Sequence, residues 1–198
     1  MNGKPLFTLA DGCSARVLVA SDMPALQAFF ETNPEYFLTV GGEPPGAHEA
    51  QNEFDDLPPA GMTFNDRCVI GCHDAAGTMI GMAHVLTDFL AEGVGHIGLF
   101  IVASSLHGRG VGAALYRGLE DWLRGSGMRW LRLGAVVGNV KAERFWSRCG
   151  YQEIRQRRGL VMGQRTNDLH VMVKALDGGT IEEYLERVER DRPESTSA

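Results

Sequence analysis

Residues 95 to 112 constrain the fold of this chain more than any other stretch. Residues 96 to 102 form an almost unbroken apolar run with β-branched and aromatic side chains, which predicts a strand buried on both faces. Three alternate glycines, Gly108, Gly110 and Gly112, follow, and the apolar residues after them recur at helical spacing. The sequence therefore predicts a strand in the middle of a sheet, a glycine-rich turn and the start of a helix.

Glycines in such a turn let several backbone N–H groups approach a bulky anion, because no Cβ atom stands in the way. The N-terminus of the following helix adds free N–H donors and a partial positive charge. We expect a pyrophosphate site here, and the alternative is a tight turn that only allows the helix to pack on the strand. A P-loop is excluded, since Ala113 and Ala114 follow Gly112 where that loop has Lys and Ser or Thr. The dinucleotide fingerprint is excluded too, because the spacing is Gly-x-Gly-x-Gly and the next strand ends without an acidic residue.

The same residues resemble the cofactor loop of the GCN5-related N-acetyltransferases, the GNAT family, which reads Gln/Arg-x-x-Gly-x-Gly/Ala at a helix start. His107 stands where the family usually has Gln or Arg, and Val102 precedes the loop at the family's distance. A second family block, Asn-x-x-Ala-x-x-x-Tyr-x-x-x-Gly-Phe, is matched further along the chain. Trp146 replaces the Tyr that protonates the leaving thiolate in many members. The matching residues of this block are Asn139, Ala142, Trp146, Gly150 and Tyr151.

The resemblance covers residues 14 to 176 and implies an α/β fold. It implies a single-domain acyl-CoA N-acyltransferase fold with a mixed, mostly antiparallel central sheet of about seven strands. The resemblance also implies one splayed parallel pair of strands and helices on both faces of the sheet. We expect an N-terminal arm over residues 1 to 12, the acetyltransferase domain over residues 13 to 177, and a C-terminal helix with a disordered tail over residues 178 to 198.

Hydrophobic periodicity and turn residues predict the individual elements. Strands are expected over residues 16 to 20, 67 to 73, 79 to 89, 96 to 102, 128 to 137, 151 to 161 and 165 to 175. Helices are expected over residues 21 to 32, 47 to 57, 111 to 125, 139 to 149 and 180 to 192, with Ser21 and Asn139 as N-caps. Residues 33 to 46 are a Pro/Gly-rich break.

The resemblance implies acetyl-CoA as the cosubstrate and no metal ion. By position, the implied cofactor-binding residues are Ile101, Val102, His107, Gly108, Arg109, Gly110, Val111, Gly112, Ala113, Asn139, Phe145 and Trp146. In the family, backbone groups near the end of the central strand bond the pantetheine and the acetyl oxygen. Phe100 is therefore expected to act in catalysis through its backbone, since preorganised donors stabilise a developing oxyanion.

Acetyl transfer also needs a group that removes a proton from the acceptor ammonium. His96 lies eleven residues before His107, which matches the spacing of the catalytic glutamate in the histone-acetylating branch of the family. A histidine with a pKa near neutrality accepts a proton directly or through water. His96 is our candidate base, a structural histidine at a strand end is the alternative interpretation, and His84 is a weaker candidate. Trp146 cannot protonate the thiolate, so we assign no residue as the acid. Water would then supply the proton to the thiolate.

Charge is divided unevenly along the chain. Residues 21 to 95 hold 12 acidic residues against one Arg, a net charge of −11, whereas residues 96 to 165 hold 12 Lys and Arg against 4 acidic residues, a net charge of +8. A basic half suits the phosphates of CoA and an acidic half suits a cationic amine, although solvated charged faces without a function are an equal alternative. In the family, the segment between the first two strands covers the acceptor. The expected substrate-binding residues are Tyr36, Phe37 and Glu43, together with Glu49 and Glu53.

These observations predict an N-acetyltransferase that transfers an acetyl group from acetyl-CoA to a primary amine of a small molecule or peptide. The amine would attack directly in a ternary complex. A CoA-binding sensor without turnover is the alternative from another class, and an enzyme for a longer acyl-CoA is the third hypothesis.

Composition limits the partners and the location. No apolar stretch approaches the roughly 20 residues of a membrane span, the N-terminus does not open a signal peptide, and the net charge of −6 disfavours nucleic acid. We expect a cytoplasmic protein without a membrane or nucleic-acid partner. The four cysteines, Cys13, Cys68, Cys72 and Cys149, lack CxxC spacing and are expected to be free thiols. The C-terminal helix would pack on the body or on a second subunit, so a homodimer stays open.

Overall fold

An eight-stranded sheet organises the structure, which is a computed structural model describing residues 4 to 193. The strands are β1 (Phe7–Thr8), β2 (Ser14–Val17), β3 (Asp66–His73), β4 (Met79–Thr87), β5 (Val94–Val102), β6 (Trp130–Val136), β7 (Gln152–Met162) and β8 (Arg165–Ala175). The helices are α1 (Met23–Thr32), α2 (Glu35–Val40), α3 (Glu49–Asp55), α4 (Val111–Gly125), α5 (Val140–Arg148) and α6 (Ile181–Arg187). The spatial order is β1-β2-β3-β4-β5-β6-β8-β7.

All neighbouring strands run antiparallel except β5 and β6, which are joined by a crossover through α4 and run parallel. Apolar residues of α4 and α5 pack on one face of the sheet, and those of α1 and α3 pack on the other. The mixed sheet with one parallel pair and helices on both faces confirms the predicted fold class.

Most predicted elements are confirmed, and α4 and β8 have the predicted bounds. The prediction missed β1, which lies within the expected N-terminal arm and pairs with β2. Its Phe7 packs over Gly118 of α4, where a Cβ atom would lie 2.5 Å from the Phe7 ring. This contact is distant in sequence, so the local pattern of residues 4 to 12 does not show it.

Two further predictions near the N-terminus were wrong. The break over residues 33 to 46 contains α2, because Pro34 at its N-cap already has a helical φ of −73°. Ser21 does not cap α1; a short 3₁₀ turn, Ala20–Asp22, precedes that helix. The Asp22 carboxylate accepts hydrogen bonds from the Val19 N–H at 2.8 Å and from the Arg16 guanidinium at 2.7 Å, which fixes this turn.

The parallel strands β5 and β6 separate part of the way along their length. They pair from Val94 opposite Trp130 to Ile97 opposite Leu133, and within the described chain no pairing between them is found beyond that point. On the other side of β5, His84 of β4 faces Leu99 while Val85 faces Ile97, so Gly98 is the extra residue of a β-bulge. Bulges bend a strand and increase its twist, which explains why a gap opens here.

The C-terminal segment packs on the body of the same chain. Tyr184 of α6 is fully buried with Val188 against the end of the sheet, beside Trp130. The helix ends at Arg187 rather than at residue 192 as predicted, because the chain turns inward through a 3₁₀ turn, Glu189–Asp191. The predicted tail lies mostly outside the described residues, which end at residue 193.

A buried ion pair holds that turn. Arg132 of β6 donates to both carboxylate oxygens of Asp191, at 2.6 Å and 3.1 Å, and the Tyr184 hydroxyl donates to the same group at 2.6 Å. Asp191 is 0% exposed and Arg132 is 6% exposed. Among residues 4 to 193, no helix is both long enough and apolar enough to cross a membrane.

We expect Asp191→Asn to lower the free energy of unfolding by about 3–5 kcal/mol, because the guanidinium of Arg132 would stay buried without its counterion. Denaturant unfolding measures this change. Glu189→Gln is the matched control, since Glu189 is exposed on the same turn and its loss should change stability by less than about 0.5 kcal/mol. Equal stability of Asp191→Asn and the control would contradict the role of the pair.

Candidate active site

The glycine-rich turn before α4 leaves backbone donors unused. Gly108 and Gly110 have φ values of +75° and +81°, in the left-handed region, and a Cβ atom on either would meet no heavy atom within 4 Å. Within residues 4 to 193, the N–H groups of Val111, Gly112 and Ala113 have no acceptor in the protein. Free N–H groups at a helix N-terminus beside open space suit an anion.

His107 stabilises the turn from within. Its Nε2 lies 2.9 Å from the Val102 carbonyl oxygen, so Nε2–H donates there, and Nδ1 accepts from Lys141 Nζ at 2.6 Å. Glu35 Oε2 lies 3.6 Å from the same Nδ1 and 3.7 Å from Lys141 Nζ. Arg109 is exposed on the turn. The sequence did not identify Lys141 as a cation beside the turn, because the contact depends on how α5 packs against it.

A cavity of about 960 Å³ reaches both sides of the gap between β5 and β6. On the side of α2 and α3 it is lined by Tyr36, Phe37, Glu43, Glu49 and Glu53, all predicted to bind substrate. His96 and Phe100 line its centre, and Asn139, Ala142 and Trp146 line the far side. The remaining predicted cofactor residues, Ile101, Val102, Phe145 and the turn from His107 to Ala113, lie outside its lining.

Aromatic side chains form the wall around Trp146. Its ring lies 5.7 Å from that of Phe100 and 5.5 Å from that of Tyr116, centroid to centroid. The Tyr116 hydroxyl donates to the Tyr151 hydroxyl at 3.2 Å, and burial raises the pKa of both phenols. Neither phenol lines the cavity. This wall is therefore apolar and offers no proton donor to the cavity.

His96 is held beside the gap. Its Nδ1 lies 3.1 Å from the Arg132 carbonyl oxygen, and its ring stacks on Phe89 at 4.5 Å. Arg132 Nη1 lies 3.4 Å from the same Nδ1. In the tautomer that donates from Nδ1 to the Arg132 carbonyl, Nε2 is the acceptor nitrogen. Burial, followed by the nearby positive charge of Arg132, lowers the pKa of His96 to about 3. His96 is therefore neutral at physiological pH and is a weak base.

His84 lies in the same cavity next to a carboxylate. Its Nδ1 is 2.6 Å from Glu53 Oε1, and the residue is only 6% exposed. Among residues 4 to 193, its Nε2 is buried and has no hydrogen-bond partner. Glu53 Oε1 is also buried without a hydrogen bond, so its contact with His84 Nδ1 is close but does not have hydrogen-bond geometry. A histidine with a carboxylate at one nitrogen and no partner at the other is a candidate general base.

Arg67 positions Glu53 by binding the end of α3. Its guanidinium donates to the carbonyl oxygens of Glu53, Phe54 and Asp56, which the helix leaves without internal partners. Burial, followed by the charge of Glu53, raises the pKa of Tyr36. Arg67 is the one Lys or Arg among residues 21 to 95, and it binds backbone oxygens rather than the carboxylates of α3 that line the cavity.

The turn between β7 and β8 closes the cavity at the other side. The Gln164 N–H donates to the Gly41 carbonyl at 2.8 Å, and Gln164 Nε2 donates to Glu43 Oε2 at 2.9 Å. Asn167 Nδ2 donates to the Val40 carbonyl at 2.8 Å. These bonds tie the hairpin to the loop after α2 and orient the carboxylate of Glu43.

Comparison with known proteins identifies the family. The model of the Acetyltransferase (GNAT) family matches residues 20–151. No curated protein matches the chain.

Three solved structures illustrate the likeness. A GCN5-related N-acetyltransferase from Kribbella flavida is 25% identical, with 83% of this chain and 98% of that chain covered at a TM-score of 0.61. Spermidine N-acetyltransferase from Vibrio cholerae, in complex with CoA and spermine, is 18% identical, with 82% and 95% covered at a TM-score of 0.63. The ribosomal-protein-S18-alanine N-acetyltransferase from Escherichia coli is 16% identical, with 85% and 99% covered at a TM-score of 0.61. Since the family model spans well over half of the chain, this protein belongs to the GNAT family of acetyltransferases.

Proposed function

We propose that this acetyltransferase moves an acetyl group from acetyl-CoA to a primary amine of a small molecule or peptide, by direct attack in a ternary complex. The observation that carries the proposal is the cavity that reaches both sides of the gap between β5 and β6. An amine that enters beside α3 can meet a thioester that enters from the side of α5. The amine nitrogen bonds to the carbonyl carbon, the C–S bond breaks, and the ammonium proton goes to a base.

The residues of this chain fit the cofactor. The unused N–H groups of Val111, Gly112 and Ala113 would bind the pyrophosphate, and Lys141 would add positive charge. The edge of β5 that has left β6 would bond the pantetheine and the acetyl oxygen, chiefly at Phe100. When bound, acetyl-CoA supplies an activated thioester carbonyl.

Of the two histidines that line the cavity, His84 is the better candidate for the base that removes the amine proton. His84 Nδ1 lies 2.6 Å from Glu53 Oε1, which would orient the ring, and its buried Nε2 has no hydrogen-bond partner among residues 4 to 193. His96, predicted from the sequence, has a free Nε2 as well, but its pKa of about 3 makes it a weak acceptor of an ammonium proton. We therefore propose His84 as the base and His96 as its competitor, with water protonating the thiolate.

The acceptor group is a cation in this proposal. Glu43, Glu49, Glu53 and Asp56 line the cavity and attract an ammonium group. The spermidine N-acetyltransferase that resembles this chain was solved in complex with CoA and spermine, and spermine is a polycationic amine. The buried free thiols of Cys13 and Cys72 fit a reducing cytoplasm. A longer acyl donor and CoA binding without turnover are the two alternatives, and acetyl-CoA consumption over an amine panel separates them.

We expect Gly110→Leu to weaken CoA binding by about 10- to 100-fold, because a side chain there strains the left-handed turn and blocks the approach of a phosphate to the N–H groups. Calorimetry with CoA measures this. Gly127→Leu is the matched control, since Gly127 also has a positive φ, of +91°, with no heavy atom within 4 Å of an added Cβ. It lies beyond the other end of α4. Equal CoA affinity in the two variants would place the pyrophosphate elsewhere.

We expect His84→Gln to lower turnover by about 10²–10³, the scale of a lost general base, and His96→Gln to keep most of it. A base acts in its deprotonated form, so turnover rises with pH through its pKa. His96, with a pKa of about 3, gives no rise between about pH 6 and 8. The pH dependence of turnover at saturating acetyl-CoA is the measurement. A large loss of turnover in His96→Gln, with His84→Gln fully active and equally stable, would instead identify His96 as the general base.

A further inference from the structure

An arginine without a counterion lies in the wall of the cavity. Arg157 of β7 is half-buried and lines the cavity. Within residues 4 to 193 its guanidinium has no hydrogen bond or ion pair. A guanidinium carries five donors in a planar fork that matches a carboxylate, and leaving it partly desolvated without an anion is unfavourable.

The carboxylate of Asp191 acts on Arg157 but already has other partners. Asp191 accepts two hydrogen bonds from Arg132 and one from the Tyr184 hydroxyl. Burial, then the positive charges of Arg190 and Arg132, lowers the pKa of Arg157. Asp191 opposes the effect of these two arginines on Arg157, but it already binds Arg132, so the balance of charge around Arg157 is positive.

The backbone of β7 directs Arg157 inward. Arg157 pairs with Leu169 and the next pair is Leu160 with Asn167, so β7 bulges over residues 158 to 159. The Gly159 N–H donates to Asp168 Oδ1 at 2.9 Å, and Gly159 has a φ of +69°. Bulges next to active sites re-aim side chains, and here Arg158 is exposed while Arg157 lines the cavity.

The opposite end of the cavity is acidic. Glu49 and Glu53 of α3, with Asp56 after it, line the cavity there, and the buried Nε2 of His84 has no partner. The two ends therefore carry opposite charge. We propose that the acceptor is an amine that carries a carboxylate several bonds away, such as an ω-amino acid, with Arg157 binding the carboxylate while the amine faces Glu53. This inference rests on the proposed function, because it specifies the second charged group of the same acceptor.

Matched pairs of acceptors test the inference. ω-Amino acids and their carboxamides present the same amine with and without a carboxylate, and spermidine presents amines alone. We expect wild-type kcat/KM for the preferred amino acid to exceed that for its carboxamide by about 10- to 100-fold, the scale of a charge-assisted bidentate contact. In Arg157→Gln this ratio should fall close to one, through a higher KM for the acid. Arg158→Gln, the exposed neighbour, should keep the wild-type ratio.

Binding measurements separate the two proposals. Calorimetry titrates the same amino acids and carboxamides into CoA-saturated protein, without turnover. Carboxylate-dependent binding that disappears in Arg157→Gln, with no acetylation of any amine, would refute the proposed function and keep the anion site. Acetylation of spermidine and carboxamides alone, or an acid-to-amide ratio unchanged in Arg157→Gln, would overturn the inference while the proposed function stands.

Discussion

The separation of β5 from β6 is the constraint on which the rest of the structure depends. Backbone groups that lose their partner strand must find other partners, because an unpaired buried N–H or C=O is unfavourable. Gly98 makes the separation by adding one residue to β5 opposite β4. The candidate site therefore lies at a gap in the sheet, where both backbone groups and side chains face the cavity.

Contacts between distant parts of the chain hold the two sides of this break. Arg132 and Asp191 are 59 residues apart, and Gln164 and Glu43 are 121 residues apart. The first pair fixes the C-terminal segment beside β6, and the second ties the β7–β8 hairpin to the loop after α2. The Asn33 side chain adds a third such contact by accepting from the Ser104 N–H, 71 residues away, just before the glycine-rich turn. Because each contact brings a separate element to the cavity, the charge distribution of the site is a property of the whole fold.

This explains which features the sequence could predict. The bounds of α4 and β8, the left-handed glycines and the parallel pair follow from periodicity, turn residues and the family blocks, which are local signals. The family resemblance alone predicts Tyr36, Phe37 and Glu43 as substrate-binding residues, and all three line the cavity. The low pKa of His96, the pairing of His84 with Glu53 and the inward direction of Arg157 depend on burial and on neighbours from other elements. No pattern within a short window contains that information.

The replacement of the family Tyr by Trp146 fits an enzyme once the energetics of the two proton transfers are compared. A thiol with a pKa near 8.5 is mostly protonated at pH 7, and leaving as the thiolate is unfavourable by only about 2 kcal/mol. Water can supply that proton after the C–S bond breaks. An ammonium group must instead lose its proton before its nitrogen can attack, and its pKa lies near 10. The larger demand is therefore on the base, which we propose to be His84 beside Glu53, while the wall around Trp146 stays apolar.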